Sequence, residues 1–255
     1  MNFKSEPSFF SYILIDAVSI GSLLAIYLSP TVYVFLSSLF VWFFCLGWIF
    51  VRKQKKYKGF AVGVSTAISF VALLLLVESV ILQWTFILIS GFAFPLLLKW
   101  SYIHGKDIVN FNYKPLRRMI MMVYVFNVYA WLTAVFAIAI YFAGFPFWVL
   151  SIIGAVFVSF MSFIIWDLYF PIHMKKILLW IVILGLVVME LMWVMNLFPF
   201  GYLACGLLVV WLWYIFHLFI RFHLSSKGII WEKQYLFLGI NAALYILSLY
   251  MIRWI

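Results

Sequence analysis

Apolar residues in this chain run on far longer than a strand or an amphipathic helix requires, and polar residues gather in short breaks between the runs. Nine segments stand out: 9–29, 31–51, 59–78, 82–100, 119–143, 145–166, 177–194, 202–221 and 235–254. A helix rises about 1.5 Å per residue and the hydrocarbon core of a bilayer is about 30 Å thick, so each run is long enough to span it. The stretch 59–100 is apolar almost throughout but too long for one crossing. Glu78, Gln83 and Trp84 mark a turn at a membrane surface within it. The pattern predicts an all-α integral membrane protein, a polytopic bundle of about nine transmembrane helices.

Composition supports this class. Hydrophobic residues make up 69% of the 255 and charged residues 9%, and mean hydropathy is +1.20. A soluble domain carries about 25% charged residues because its surface must meet water. A water-soluble fold and a disordered chain are both excluded. Met1–Ser8 holds one Lys, one Glu and a Pro with no small-residue cleavage site behind it, so the first run reads as a retained helix rather than a signal peptide.

The net charge of +10 invites a nucleic-acid reading, but the placement of the cations opposes it. Arg52, Lys53, Lys55, Lys56 and Lys58 follow the second run, and Lys99, Lys106, Lys114, Arg117 and Arg118 surround the break after the fourth. Lys175 and Lys176 follow the sixth, and Arg221, Lys227 and Lys233 follow the eighth. With Lys4, every Lys and Arg except Arg253 falls on one side. The opposite turns, such as Ser29-Pro30-Thr31, Gln83-Trp84, Gly144-Phe145-Pro146 and Phe198-Pro199-Phe200-Gly201, are uncharged apart from Glu78 at one margin. The positive-inside rule then puts the N-terminus and the basic loops in the cytoplasm and the C-terminus outside. The expected contacts are anionic headgroups and other membrane-protein subunits, with no nucleic acid.

Two partial copies of a four-helix unit are legible. Ala25-Ile26-Tyr27-Leu28 resembles Ala139-Ile140-Tyr141-Phe142, and Glu78 and Glu190 occupy corresponding runs. An even number of helices per unit implies parallel repeats, 1–118 and 119–234, with 235–255 as an added helix. Asp16, Asn127 and Asn241 each follow a tyrosine and are expected at similar depth. Small residues at four-residue spacing (Ala17, Gly21, Ala25; Gly59, Gly63, Ala67; Ser151, Ala155, Ser159; Gly239, Ala243) are expected at close helix contacts.

Ionisable and polar groups inside a span are candidates for function, because hydrocarbon offers them no solvation. Asp16, Asn127, Glu190, Asn241 and His217 form the intramembrane set; Glu78 and Arg253 form an outer-face set, with Arg253 as a counter-ion. Asp16 reads either as a proton or cation site or as a carboxyl bonded to a neighbouring helix, and Glu190 is expected to be the more buried of the two glutamates. A haem at His217 lacks a second axial ligand, His104, His173 and His223 being poorly placed, and no metal or other cofactor is expected. Cys45 and Cys205 read as small buried hydrophobes. Cys205 in Ala204-Cys205-Gly206 is similar to the nucleophile of exosortase-type membrane transpeptidases. Those set an Arg and a His on the side of the Cys, however, whereas Arg221 and His223 fall at the other end of the same run. No phosphate loop, HExxH or Asp-rich pair is present. The sequence therefore points to a membrane-embedded structural or assembly subunit, with a small transporter or channel as the alternative and a lipid-modifying enzyme behind both.

Overall fold

A computed structural model describes residues 9–53, 57–103, 114–142, 144–169, 174–224, 229 and 231–252. Among them the chain forms nine α-helices and no strand: α1 Phe9–Leu28, α2 Val32–Leu46, α3 Tyr57–Leu76, α4 Val80–Ile103, α5 Lys114–Tyr141, α6 Phe147–Asp167, α7 Met174–Asn196, α8 Tyr202–Leu224 and α9 Trp231–Met251. A π-helical segment, Gly47–Lys53, prolongs α2. Among the described residues, nine helical segments are long and apolar enough to cross a bilayer. The protein is an integral, multi-pass helical bundle.

Helix limits follow local chemistry. Pro30 cannot continue α1, and Thr31 starts α2 by accepting a hydrogen bond from the Val34 N–H at 3.4 Å. Between α3 and α4 the break falls at residues 77–79. There the Gln83 amide donates to the carbonyls of Val77 at 2.7 Å and Leu74 at 3.3 Å. Leu74 lies in the last turn of α3 and Val77 directly follows it, where carbonyls lack a partner within the helix. Gln83, read from the sequence as a mark of the turn, is the group that closes it. α4 continues through Pro95 without a break.

The sequence and the structure differ at α5. It begins at Lys114, so Arg117 and Arg118 lie on its first turns and not in a loop. Pro115 suits the start of a helix, where its missing N–H is no loss. With 28 residues α5 is about 42 Å long, more than the hydrocarbon needs, which leaves its cationic first turns for the headgroup layer.

Two compact units divide within α5, Met1–Ala130 and Trp131–Ile255. This division lies later than the 118/119 boundary expected for a repeat, and it places α9 in the second unit. In the first unit α1 packs on α4 and α2, and α3 packs on α4. Trp42, Phe94, Phe70 and Phe126 form its aromatic centre, with ring centroids 5.1 Å apart for Trp42–Phe94 and 4.7 Å for Phe70–Phe126. Gly59 and Gly63 allow the close approach. A Cβ on Gly59 would stand 2.8 Å from both Phe50 and Ser101, and one on Gly63 would stand 3.4 Å from Leu46.

In the second unit α7 packs between α6 and α8. Ser159 donates to the Ile181 carbonyl at 3.3 Å, and Gly185 makes room for that hydroxyl. Gly206 presses against a backbone, since a Cβ there would stand 3.0 Å from the backbone N of Thr133 and nearer still to its hydroxyl. The other two small-residue series behave differently. Ala17 and Gly21 are exposed, as are Gly239 and Ala243, and nothing lies within 4 Å of a Cβ on Gly21 or Gly239.

Candidate functional site

Asp16 lies in the first half of α1, half-buried, and its Oδ1 is shielded with no hydrogen-bond partner. On the same helix Ser19 donates to the Asp16 carbonyl at 3.0 Å. Further along, Ala17, Gly21, Ser22, Ser37 and Ser38 line an open cleft of about 300 Å³ between α1 and α2. Ser22 donates across to the Ser38 carbonyl of α2 at 3.5 Å, and Ser37 donates within its own helix to the Val34 carbonyl at 3.1 Å.

Asn127 lies midway along α5 and is fully buried. Its Nδ2 donates to Thr66 Oγ1 at 2.8 Å, and Thr66 donates in turn to the Val62 carbonyl at 2.8 Å. The Asn127 Oδ1 has no partner. This is a bond between helices inside the first unit, of the kind that fixes register in a membrane bundle. Thr66 escaped the sequence reading because a threonine inside an apolar run ordinarily bonds its own helix, and nothing local marks it as the partner of a residue so distant in the chain.

In the second unit His217 is fully buried on α8, flanked by Trp166 at 5.3 Å with rings nearly parallel and by Trp213 at 5.4 Å. Neither imidazole nitrogen has a partner, nor has the Trp166 indole N–H. Trp213 donates to Ser162 at 3.0 Å, and Ser162 donates to the Val158 carbonyl at 2.7 Å. Arg221 stacks over the Tyr169 ring at 4.5 Å. Cys205 is buried with its Sγ 3.7–3.8 Å from the carbonyls of Phe200 and Met195, placed as a packed thiol among backbone oxygens.

Asn241, midway along α9, accepts from the Trp211 indole at 3.0 Å and donates to the Phe237 carbonyl at 2.8 Å. Tyr245 adds an edge-on contact to Trp211 at 5.8 Å. Asn241 therefore serves to hold α9 on α8. An apolar groove of about 300 Å³ opens between α7 and α8, lined chiefly by Trp180, Ile183, Leu184, Phe216, Phe219 and His223.

No family model matches the chain. Nor does any curated protein or solved structure.

Of the two glutamates, Glu190 is placed differently from expectation. Glu190 is exposed on α7 rather than buried, because the helix turns Leu184, Val188 and Met192 inward and Glu190 outward with Leu186 and Trp193. Glu78 is exposed at the α3–α4 break. Arg253, expected on the same side as both glutamates as a counter-ion, lies outside the described residues, as do Lys55 and Lys56. Of the remaining loop cations, Arg52 covers the Trp48 ring at 4.5 Å, Lys53 closes the π-helical segment, and Lys58 and Arg118 are exposed. Among the described residues no three His, Cys, Asp or Glu side chains converge as a metal site would need. Asn127 and Asn241 are engaged one at a time in contacts between helices, while Asp16 Oδ1 and both His217 nitrogens have no hydrogen-bond partner.

Proposed function

We propose that this protein is a membrane-embedded structural or assembly subunit of a larger complex. The observation that carries this reading is the placement of α9. Its span, Gln234–Met251, has the lowest mean hydropathy of the nine, 1.3 against 1.9–2.6 for the others, yet it is the one with 0% of its residues buried. A bundle facing lipid on all sides gains by turning its least apolar helix inward, since hydrocarbon penalises polar groups more than a protein interior does. Here that order is reversed. A neighbouring protein over α9 removes the conflict, and the open face at Gly239 and Ala243 lets a second backbone approach closely. In this reading the basic loops lie in the cytoplasm, where they meet anionic headgroups and partner subunits, and the C-terminus lies outside.

Purification of the full chain from native membranes in a lipid-preserving detergent, followed by mass spectrometry, tests this. A protein partner in fixed stoichiometry is expected; a chain that comes out alone overturns the reading. A transporter built from parallel repeats is favoured by one observation, the shielded and unpartnered Oδ1 of Asp16. Loss of ion-driven flux in Asp16→Asn, with the fold retained, would select that alternative.

A further inference from the structure

Glu190 sits on a face of α7 that has no other means of satisfying it. Leu178, Leu179, Val182, Ile183, Leu186 and Trp193 are all exposed on this helix, and every one is apolar or aromatic. Glu190 itself makes no hydrogen bond or ion pair among the described residues. Counted back from Asn196, it lies about 9 Å from the end of α7, within the depth of the hydrocarbon and beyond the reach of a short carboxylate chain to water. Such a group costs several kcal/mol in lipid unless it is paired.

We infer that this face of α7 is the docking surface for a single transmembrane helix of a different protein, one that presents a Lys or Arg side chain to Glu190. The occupant follows from charge. A second copy of this chain is a poor source of the cation, because in the sequence all its Lys and Arg residues except Arg253 fall at the opposite ends of the spans. A wholly apolar helix would leave the carboxyl unsatisfied, and a cation pairs with it more strongly than a neutral donor does. The smooth stripe of Leu179, Val182, Ile183 and Leu186 provides the apolar contact, and the carboxyl fixes the register along it.

This inference rests on the subunit reading above and adds a site to it. The experiment uses the full chain in its native membrane, with a photo-crosslinking residue at Leu186 or, as a control, at Phe40 on the exposed face of α2. The expected result is a protein adduct at 186 whose crosslinked segment is a transmembrane helix carrying Lys or Arg, with a yield falling at least tenfold in Glu190→Leu. Glu190→Lys should lose the adduct and regain it when the partner's cation is changed to Glu. Since Glu190 bonds to nothing in its own unit, these variants should keep the parent's thermal stability in detergent. A stoichiometric partner captured with adducts elsewhere but none at 186 overturns the inference and leaves the subunit reading standing. An adduct of the chain with itself at 186 overturns the choice of occupant. No protein adduct at any exposed position, with a chain that purifies alone, overturns both.

Discussion

The bond between Asn127 and Thr66 makes an asymmetric forecast. Thr66 holds two bonds, accepting from Asn127 and donating to Val62, while Asn127 has only the one from its Nδ2. Asn127→Leu, close in volume, removes the amide and leaves the threonine still satisfied by its own helix. Thr66→Val removes the acceptor and leaves a fully buried amide with no partner at either atom. An unpaired buried polar group costs about 1–3 kcal/mol, whereas an interhelical bond in a membrane protein contributes about 0.6 kcal/mol on average and up to about 1.7. Thr66→Val is therefore expected to destabilise by about 1–2 kcal/mol more than Asn127→Leu. The double variant should recover most of that difference, giving a coupling of about 1 kcal/mol. The assay is a double-mutant cycle by reversible unfolding in bicelles. Equal costs for the two single variants, or strict additivity, would refute the assignment.

Other outcomes follow from the same contacts. Gly206→Ala should destabilise by about 1–3 kcal/mol, because the new methyl meets the Thr133 backbone, which cannot rotate away; a neutral result in thermal unfolding would refute that packing. His217→Phe should be neutral or stabilising, since the ring keeps its place between Trp166 and Trp213 and two unpaired nitrogens are lost; a large loss of stability or of any bound group would show that the imidazole is used. Gln83→Leu should weaken the α3–α4 turn by about 1–2 kcal/mol through two uncapped carbonyls, seen as faster hydrogen exchange at residues 77–79. Trp211→Phe should release Asn241, and with it α9, from α8, measured as faster hydrogen exchange along α9 with the rest of the second unit unchanged.

The spans were legible because bilayer thickness imposes a length that few other constraints mimic, and the structure has a helix at each of the nine runs. The start of α5 was not legible. Lys114, Arg117 and Arg118 look like a loop by charge, yet a helix can carry them once it has emerged from the hydrocarbon. Small-residue spacing was an uneven guide. Gly59 and Gly63 are at a close contact while Gly21 and Gly239 face open space, since spacing shows that backbones can approach and not that they do. The facing of Glu190 depends on which neighbours α7 chose, and the nearly uniform apolarity of that helix leaves no periodic signal to reveal its inner side. The partners Thr66, Ser162 and Trp211 belong to residue types that fill membrane helices for many reasons, so only coordinates separate them from their neighbours.

The cap that Gln83 places on α3 also bears on how the protein is made. With the basic loops in the cytoplasm, as proposed, the α3–α4 turn must be carried through the hydrocarbon as the pair enters the bilayer, and each bare carbonyl there resists the passage. With Leu74 and Val77 already bonded to the Gln83 amide, the pair α3–α4 carries its own substitute for water at the point where it is most exposed. The two helices can therefore leave the insertion machinery together as a finished hairpin, before the later helices exist to shelter them.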